Sequence, residues 1–300
     1  MMQITIIGFG EAGRIYAEEL TRRGVQVSIW DKKFLSAEAD KLRLLAREMN
    51  VSVAPSFRTA LEGTSLILSL VTANNALSVA QEAARLMKSG QILLDFNSVA
   101  PGTKRDAAAM IAAGNGRYLD VAVMAPVPPK RLATPLLLAG DDAVEVAQQL
   151  TVLGCQATAV SGKVGDVSAI KMCRSVMIKG LEALTVECLS AAQQYGVHDA
   201  VLASLHASFP STGWDAGQAD YLISRVAEHG LRRAEEMTEV VRTLNDAGVA
   251  GEMSKATGLI QASLPALLAQ QQIVYSDLLP FDWKETFNQI HQVRSSISTR

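Results

Sequence analysis

The first half of the chain alternates short apolar runs with amphipathic helices, and this alternation restricts the fold more than any other feature. QITIIG, VQVSIWD, VSVAPS, SLILSLVT, QILLDFNS, YLDVAVMA, PLLLAG and QATAVSG read as strands. EAGRIYAEELTRRG, SAEADKLRLLAREMN, NNALSVAQEAARLMKSG, PGTKRDAAAMIAAG and DAVEVAQQLTVLG read as helices between them. A β–α order of this kind predicts a mostly parallel sheet covered on both faces. Right-handed crossovers make it doubly wound. The prolines of APVPPKRLATPLLLAG preclude a regular helix between Ala125 and Gly140. After Gly165 the strand signal ends. Asp166 to Tyr195, ADYLISRVAEHGLRRAEEMTEVVRTLNDAG and SKATGLIQASLPALLAQQ all show helical spacing, with Gly230 and Pro265 as interruptions. The expected organisation is an α/β domain over residues 1–163 and an all-helical domain over residues 164–300, bridged by the helix that starts near Asp166.

Composition excludes several classes. The apolar fraction of 49% supplies a substantial core, and the net charge of −2 gives no attraction to nucleic acid or to an anionic membrane. The basic pairs Arg22-Arg23, Lys32-Lys33 and Arg232-Arg233 are scattered, which argues against a nucleic-acid groove. No run approaches the ~20 apolar residues of a membrane span, and the N-terminus lacks the basic segment of a signal peptide. Cys155, Cys173 and Cys188 form no metal-ligand pattern, so reduced thiols and a cytoplasmic location are expected. His198, His206, His229 and His291 show no ligand spacing, and no metal site is supported.

The run GFGEAG lies straight after the first strand and opens the first helix. Each glycine has its own reason. Gly8 allows the tight turn, Gly10 lets a pyrophosphate approach the backbone, and Gly13 lets the helix pack on the strand. The backbone of Gly8, Phe9, Gly10, Glu11, Ala12 and Gly13 would then cradle phosphates at a helix N-terminus. Asp31, at the end of the second strand, suits the ribose hydroxyls of NAD and repels a 2′-phosphate. Lys32 and Lys33 keep NADP as the alternative. Val71 and Thr72, in LVTANN, end a strand at the carboxyl edge, where the dinucleotide runs.

On the long helix that follows, Ser168, Lys171, Ser175, Lys179 and Glu182 form one polar stripe. Such a stripe is either a solvated face or, where the helix starts at a domain boundary, part of a ligand site. Hydride transfer from an alcohol carbon needs a group that takes the hydroxyl proton, and a lysine of lowered pKa can do this.

These motifs together resemble the β-hydroxyacid dehydrogenases, which include 3-hydroxyisobutyrate, tartronate semialdehyde and 6-phosphogluconate enzymes. Gly8, Gly10 and Gly13 match the family fingerprint. Asp95, Asn97, Ser98 and Pro101 match its DxNSxxP segment, and Gly162, Gly165 and Lys171 its GxxGxxxxxK segment. The resemblance implies that Lys171 is the general acid/base and that Ser98 and Ser175 orient the substrate. The C-terminal half resembles the helical domain of the phosphogluconate-dehydrogenase-like branch, which implies a sugar-acid substrate by analogy. The chain departs from the family twice. DVAVMAP stands in place of DxPVSGG, so Met124, Ala125 and Pro126 replace Ser-Gly-Gly. Arg174 and Ser175 stand where the family has two asparagines. The family's later KDxxxA helix registers either on Glu235 or Glu236, or one turn away on Arg232 or Arg233. An arginine there could hold an anionic substrate.

The resulting expectation is an NAD(P)-dependent oxidoreductase acting on a small anionic hydroxy acid. Lys171 is catalytic, and Ser98, Met124, Arg174, Ser175, Arg232 and Arg233 face the substrate. Apolar stretches in the helical half predict a homodimer formed through it. The alternatives are an imine reductase, disfavoured by Lys171 where such enzymes carry Asp or Tyr, and a non-catalytic dinucleotide-binding sensor or scaffold.

Overall fold

The computed structural model describes residues 2–297, with side chains except at Ser161 and residues 291–297. The chain divides into two compact units, one ending at Met172 and the other beginning at Cys173. The division falls inside a single long helix.

The first unit is built on eight strands: β1 (Gln3–Ile7), β2 (Gln26–Trp30), β3 (Ser52–Val53), β4 (Leu66–Ser69), β5 (Ile92–Asp95), β6 (Arg117–Val123), β7 (Leu136–Ala139) and β8 (Ala157–Ser161). Helices α1 (Glu11–Arg22), α2 (Ala39–Glu48), α3 (Phe57–Ala60), α4 (Ala73–Ala84), α5 (Pro101–Ala113), α6 (Val127–Lys130) and α7 (Ala143–Val152) connect them. Strand order is β3-β2-β1-β4-β5-β6-β7-β8, and β6–β7 pair antiparallel while the other pairs are parallel. The first six strands have the order of the Rossmann fold, whose direction of winding reverses between β1 and β4. Register places Ile7 beside both Trp30 and Ser69. The loop after β1 therefore emerges between the carboxyl ends of β2 and β4, the crevice where open α/β sheets bind ligands. Two apolar layers flank the sheet. One gathers Ile4, Ile6, Tyr16 and Leu20 with Leu94, Leu119 and Leu150. The other gathers Ile7, Phe57, Ile67 and Val79 with Leu93 and Ile111.

The proline-rich segment departs from expectation. It holds one helical turn, Val127–Lys130, because its prolines occupy the first turn, where a backbone N–H has no helical partner to lose.

Helix α8 (Asp166–Gln194) crosses the division. The second unit adds α9 (His198–Ser208), α10 (Gln218–Asp246), α11 (Glu252–Gln270) and α12 (Trp283–Ile297). Val186, Leu189, Ile223, Val226, Leu264 and Trp283 belong to its core. Gly230 and Pro265 do not interrupt their helices. Pro265 has no N–H for the Gln261 carbonyl one turn earlier. Gly230 of α10 sits against that carbonyl, so close that a Cβ there would lie 2.1 Å from its oxygen. The two residues that looked like helix breakers are the crossing point of α10 and α11. No helix of the described residues is long and apolar enough to cross a membrane.

Candidate active site

The glycine loop is held tightly at two of its three glycines. Gly8 has a φ of +104°, and a Cβ there would meet the Leu70 carbonyl oxygen at 2.3 Å. At Gly13 a Cβ would lie 2.0 Å from the Gly8 carbonyl oxygen. Gly10 differs: a Cβ there meets nothing within 4 Å. The space beside Gly10 is thus an open cradle that a side chain would fill. Gly10 is the N-cap of α1 and supplies no side-chain cap, so first-turn N–H groups stay available to an anion. Asp31 is aligned with this loop. Its Oδ2 accepts the Phe9 N–H at 2.7 Å, and its Oδ1 accepts the Lys33 N–H at 2.9 Å. Each oxygen keeps a further lone pair for a ribose hydroxyl. These features fit a dinucleotide.

Lys32 Nζ donates to Asn75 Oδ1 at 2.8 Å, and Asn75 Nδ2 donates to Thr72 Oγ1 at 2.6 Å. The chain Lys32–Asn75–Thr72 joins the end of β2 to the start of α4. The Val71 N–H donates to Asn97 Oδ1 at 2.8 Å, and Asn97 Nδ2 donates to Ser69 Oγ at 2.9 Å, so buried Asn97 locks the ends of β4 and β5 together.

Ser98 follows directly. Lys171, half-buried on the second turn of α8, donates from Nζ to Ser98 Oγ at 2.5 Å. The structure therefore brings together the two residues that sequence motifs placed 73 positions apart. Met124 is half-buried just beyond β6 and packs against Ala122, Ala139 and Val167. Its thioether offers at most a weak acceptor to a ligand.

In the second unit the polar stripe of α8 is not solvated. Ser175, Lys179 and Glu182 are buried. Lys179 Nζ donates to Glu236 Oε2 at 2.5 Å. Glu182 pairs with Arg233 and accepts Gln261 Nε2 at 2.9 Å. Desolvation pulls the Lys179 pKa below its ordinary value against the opposing pull of Glu236. Arg232, exposed, pairs with Glu236, while Arg233 is buried in its pair with Glu182. Burial and the charges of Arg225, Arg232 and Arg233 push the His229 pKa down to about 4, so this imidazole is neutral near pH 7. Arg174 is exposed on α8.

Residues 3–165 match the model described as the NAD binding domain of 6-phosphogluconate dehydrogenase, more than half of the chain. The chain belongs to that family. Residues 192–264 match a second model, Domain of unknown function (DUF1932). The fold is shared with a conserved hypothetical protein from Sinorhizobium meliloti, at 37% identity, 97% coverage of this chain, 96% of the other and a TM-score of 0.75. It is also shared with a conserved protein whose structure is reported as similar to 3-hydroxyacid dehydrogenases, at 30% identity, 90% and 99% coverage and a TM-score of 0.70. Among curated proteins, 3-hydroxyisobutyrate dehydrogenase from Pseudomonas aeruginosa is 25% identical over 71% of this chain and 72% of its own length. The first unit of this 3-hydroxyacid dehydrogenase-like chain is thus a nicotinamide-dinucleotide-binding domain, and its glycine loop, Asp31 and Ser98 follow β1, β2 and β5 at the carboxyl edge of the sheet.

Asp95, Lys104, Tyr118, Asp120 and Ser168 form a buried cluster whose connections the sequence did not reveal. One signal was available: Lys104 shares a helical face with Ala107 and Ile111, and a lysine in an apolar stripe is out of place there.

Proposed function

We propose that this chain is an NAD(P)-dependent oxidoreductase that interconverts a small hydroxy acid, in particular a sugar acid, and its carbonyl form, with Lys171 as general acid/base. The observation that carries this reading is the 2.5 Å contact between Lys171 Nζ and Ser98 Oγ, in the same unit as the glycine loop. Bound nicotinamide supplies a two-electron hydride acceptor or donor. The Ser98 hydroxyl can both accept from Lys171 and donate to a substrate oxygen. A substrate hydroxyl that accepts from Ser98 would lie within reach of Nζ, where a neutral amine removes its proton and an ammonium returns one. Arg232, although paired with Glu236, is the candidate for binding an anionic group, because its guanidinium stays exposed. Arg233 is committed to Glu182. Ser175 and Arg174 stand one turn beyond Lys171 and are the expected determinants of substrate preference.

NAD is the favoured cofactor. Asp31 places a negative charge where a 2′-phosphate would sit, and Lys32 is engaged by Asn75. The test is a screen of sugar acids and other hydroxy acids with both cofactors, following nicotinamide absorbance. The expected result is turnover with at least one such acid and a higher kcat/KM with NAD. Turnover of imines alone would replace this reading.

We propose in addition that the chain forms a homodimer through its helical unit. Opposite its buried polar stripe, α8 exposes Met177 (74%), Ile178, Leu181 and Leu184 (55%), an apolar face that a second copy would cover. Light scattering is expected to give twice the 32.1 kDa chain mass. Met177→Glu with Leu184→Glu is expected to give monomers, and a monomeric native mass would refute the dimer. The free thiols Cys155, Cys173 and Cys188 support a reducing, cytoplasmic setting.

A further inference from the structure

Asp95 and Asp120 are register partners on the neighbouring parallel strands β5 and β6. Both side chains are buried, at 3% and 0% exposure. Like charges so placed repel. Fully buried Lys104, on α5, answers both. Its Nζ lies 3.2 Å from Asp95 Oδ1 and 3.3 Å from Asp120 Oδ1, and it donates to the Asp95 carbonyl at 2.6 Å. Burying three ionised groups carries a desolvation penalty that well-packed apolar residues avoid. Stability alone therefore gives no reason for this cluster.

Its remaining hydrogen bonds supply a reason. Asp95 accepts Tyr118 Oη at 2.6 Å and the Asn97 N–H at 2.8 Å, which fixes the turn leading into Ser98. Burial and the Asp95 charge raise the Tyr118 pKa well above its ordinary value, so this phenol remains a donor. Asp120 accepts the Gly165 N–H at 3.0 Å, the Ser168 N–H at 3.2 Å and the Ser168 hydroxyl at 2.7 Å. It thus caps the start of α8 from another element, and these N–H groups have no partner within the helix. Lys171 stands three residues after Ser168, on the same helix face. One carboxylate holds the support of Ser98, the other holds the support of Lys171, and one ammonium joins the two.

We infer that Asp120 and Ser168 are positioning residues, whose hydrogen bond, within the buried ion cluster around Lys104, ties the first turn of α8 to the sheet and thereby sets the Lys171–Ser98 geometry. This deepens the dehydrogenase reading and rests on it for its catalytic meaning. The coupling itself is measurable without turnover.

The experiment uses the full chain carrying Asp120→Asn or Ser168→Ala, with Ser168→Thr as the conservative control. Trinitrobenzenesulfonate modification of Lys171 is followed by peptide mass spectrometry, with exposed lysines of the same chain as internal standards. Dinucleotide affinity is measured alongside with NAD. In Asp120→Asn and Ser168→Ala, Lys171 modification is expected to quicken by about threefold to tenfold, the range set by losing roughly one hydrogen bond. NAD affinity should stay within about twofold, because the glycine loop is untouched. Ser168→Thr keeps the hydroxyl and should restore the native rate. If Asp120→Asn does not fold, Ser168→Ala decides alone, since it removes a single side-chain bond. An unchanged Lys171 rate in folded Ser168→Ala, or a Ser168→Thr rate equal to that of the alanine variant, overturns the inference. An absence of hydroxy-acid turnover in the native protein would instead count against the dehydrogenase reading and leave the labelling result standing.

Discussion

Replacing Lys171 by alanine is expected to lower turnover by about 10²- to 10⁴-fold, the usual contribution of a positioned general acid or base. That range corresponds to about 3–5.5 kcal/mol of barrier. The expectation rests on the Nζ–Oγ contact with Ser98, which holds the amine at one defined point instead of leaving it to sample solvent. NAD affinity should change little, because the substitution leaves the glycine loop and the Asp31–Phe9 hydrogen bond in place. Lys171→Arg separates two possible roles. A guanidinium keeps the positive charge but does not give up a proton near neutrality. If proton transfer is the role, arginine should be about as damaging as alanine. If the charge alone mattered, arginine would restore much of the rate. Native turnover in Lys171→Ala would remove the lysine from the chemistry. A chain that binds NAD and turns over no hydroxy acid at all would instead fit the sensor or scaffold reading.

Much of the first unit was legible because its signals are local. Eight apolar runs of strand length, separated by helical patterns, translate directly into β1–β8. The glycine loop was legible for the same reason, since GFGEAG lies between a strand and a helix. The fate of the α8 stripe was not legible. Periodicity places Lys179 and Glu182 on one face but does not say what covers it. The covering residues, Arg233, Glu236 and Gln261, lie 51, 57 and 79 positions away along the chain. Arg232 and Arg233 show the same limit at finer scale. The 100° step of a helix turns one toward Glu182 and leaves the other exposed, and sequence alone cannot phase that step against a partner helix. Gly230 and Pro265 misled because each breaks helices in isolation. Together they make a close crossing, in which the carbonyl freed by Pro265 faces the side-chain-free surface of Gly230. Lys104, finally, was hidden in a helix of ordinary appearance, and only the pairing of β5 with β6 brings its two aspartates into register.

Gly10→Val is expected to abolish useful dinucleotide binding while leaving the fold intact. Among the glycines of the loop this one has room: an added Cβ meets no protein atom within 4 Å, and its φ of −76° is open to any L-residue. The cost to stability should be limited to the weaker N-cap, about 1 kcal/mol. The space a valine side chain would take is the space the pyrophosphate needs in order to reach the backbone N–H groups of α1. NAD affinity should fall at least about 100-fold, equivalent to ~2.7 kcal/mol. The rise in Tm expected when NAD is added to the native chain should be absent in the variant. Gly13→Ala provides the contrast. Its Cβ would lie 2.0 Å from the Gly8 carbonyl, so the helix must lift from the strand, and the Tm should fall even without NAD. Loss of binding with a preserved Tm in Gly10→Val, against loss of Tm in Gly13→Ala, would separate the glycine that faces the ligand from the glycine that packs the fold. Native NAD affinity in Gly10→Val would mean that the dinucleotide takes another path across the strand ends, and the roles given to Asp31 and Ser98 would fail with it.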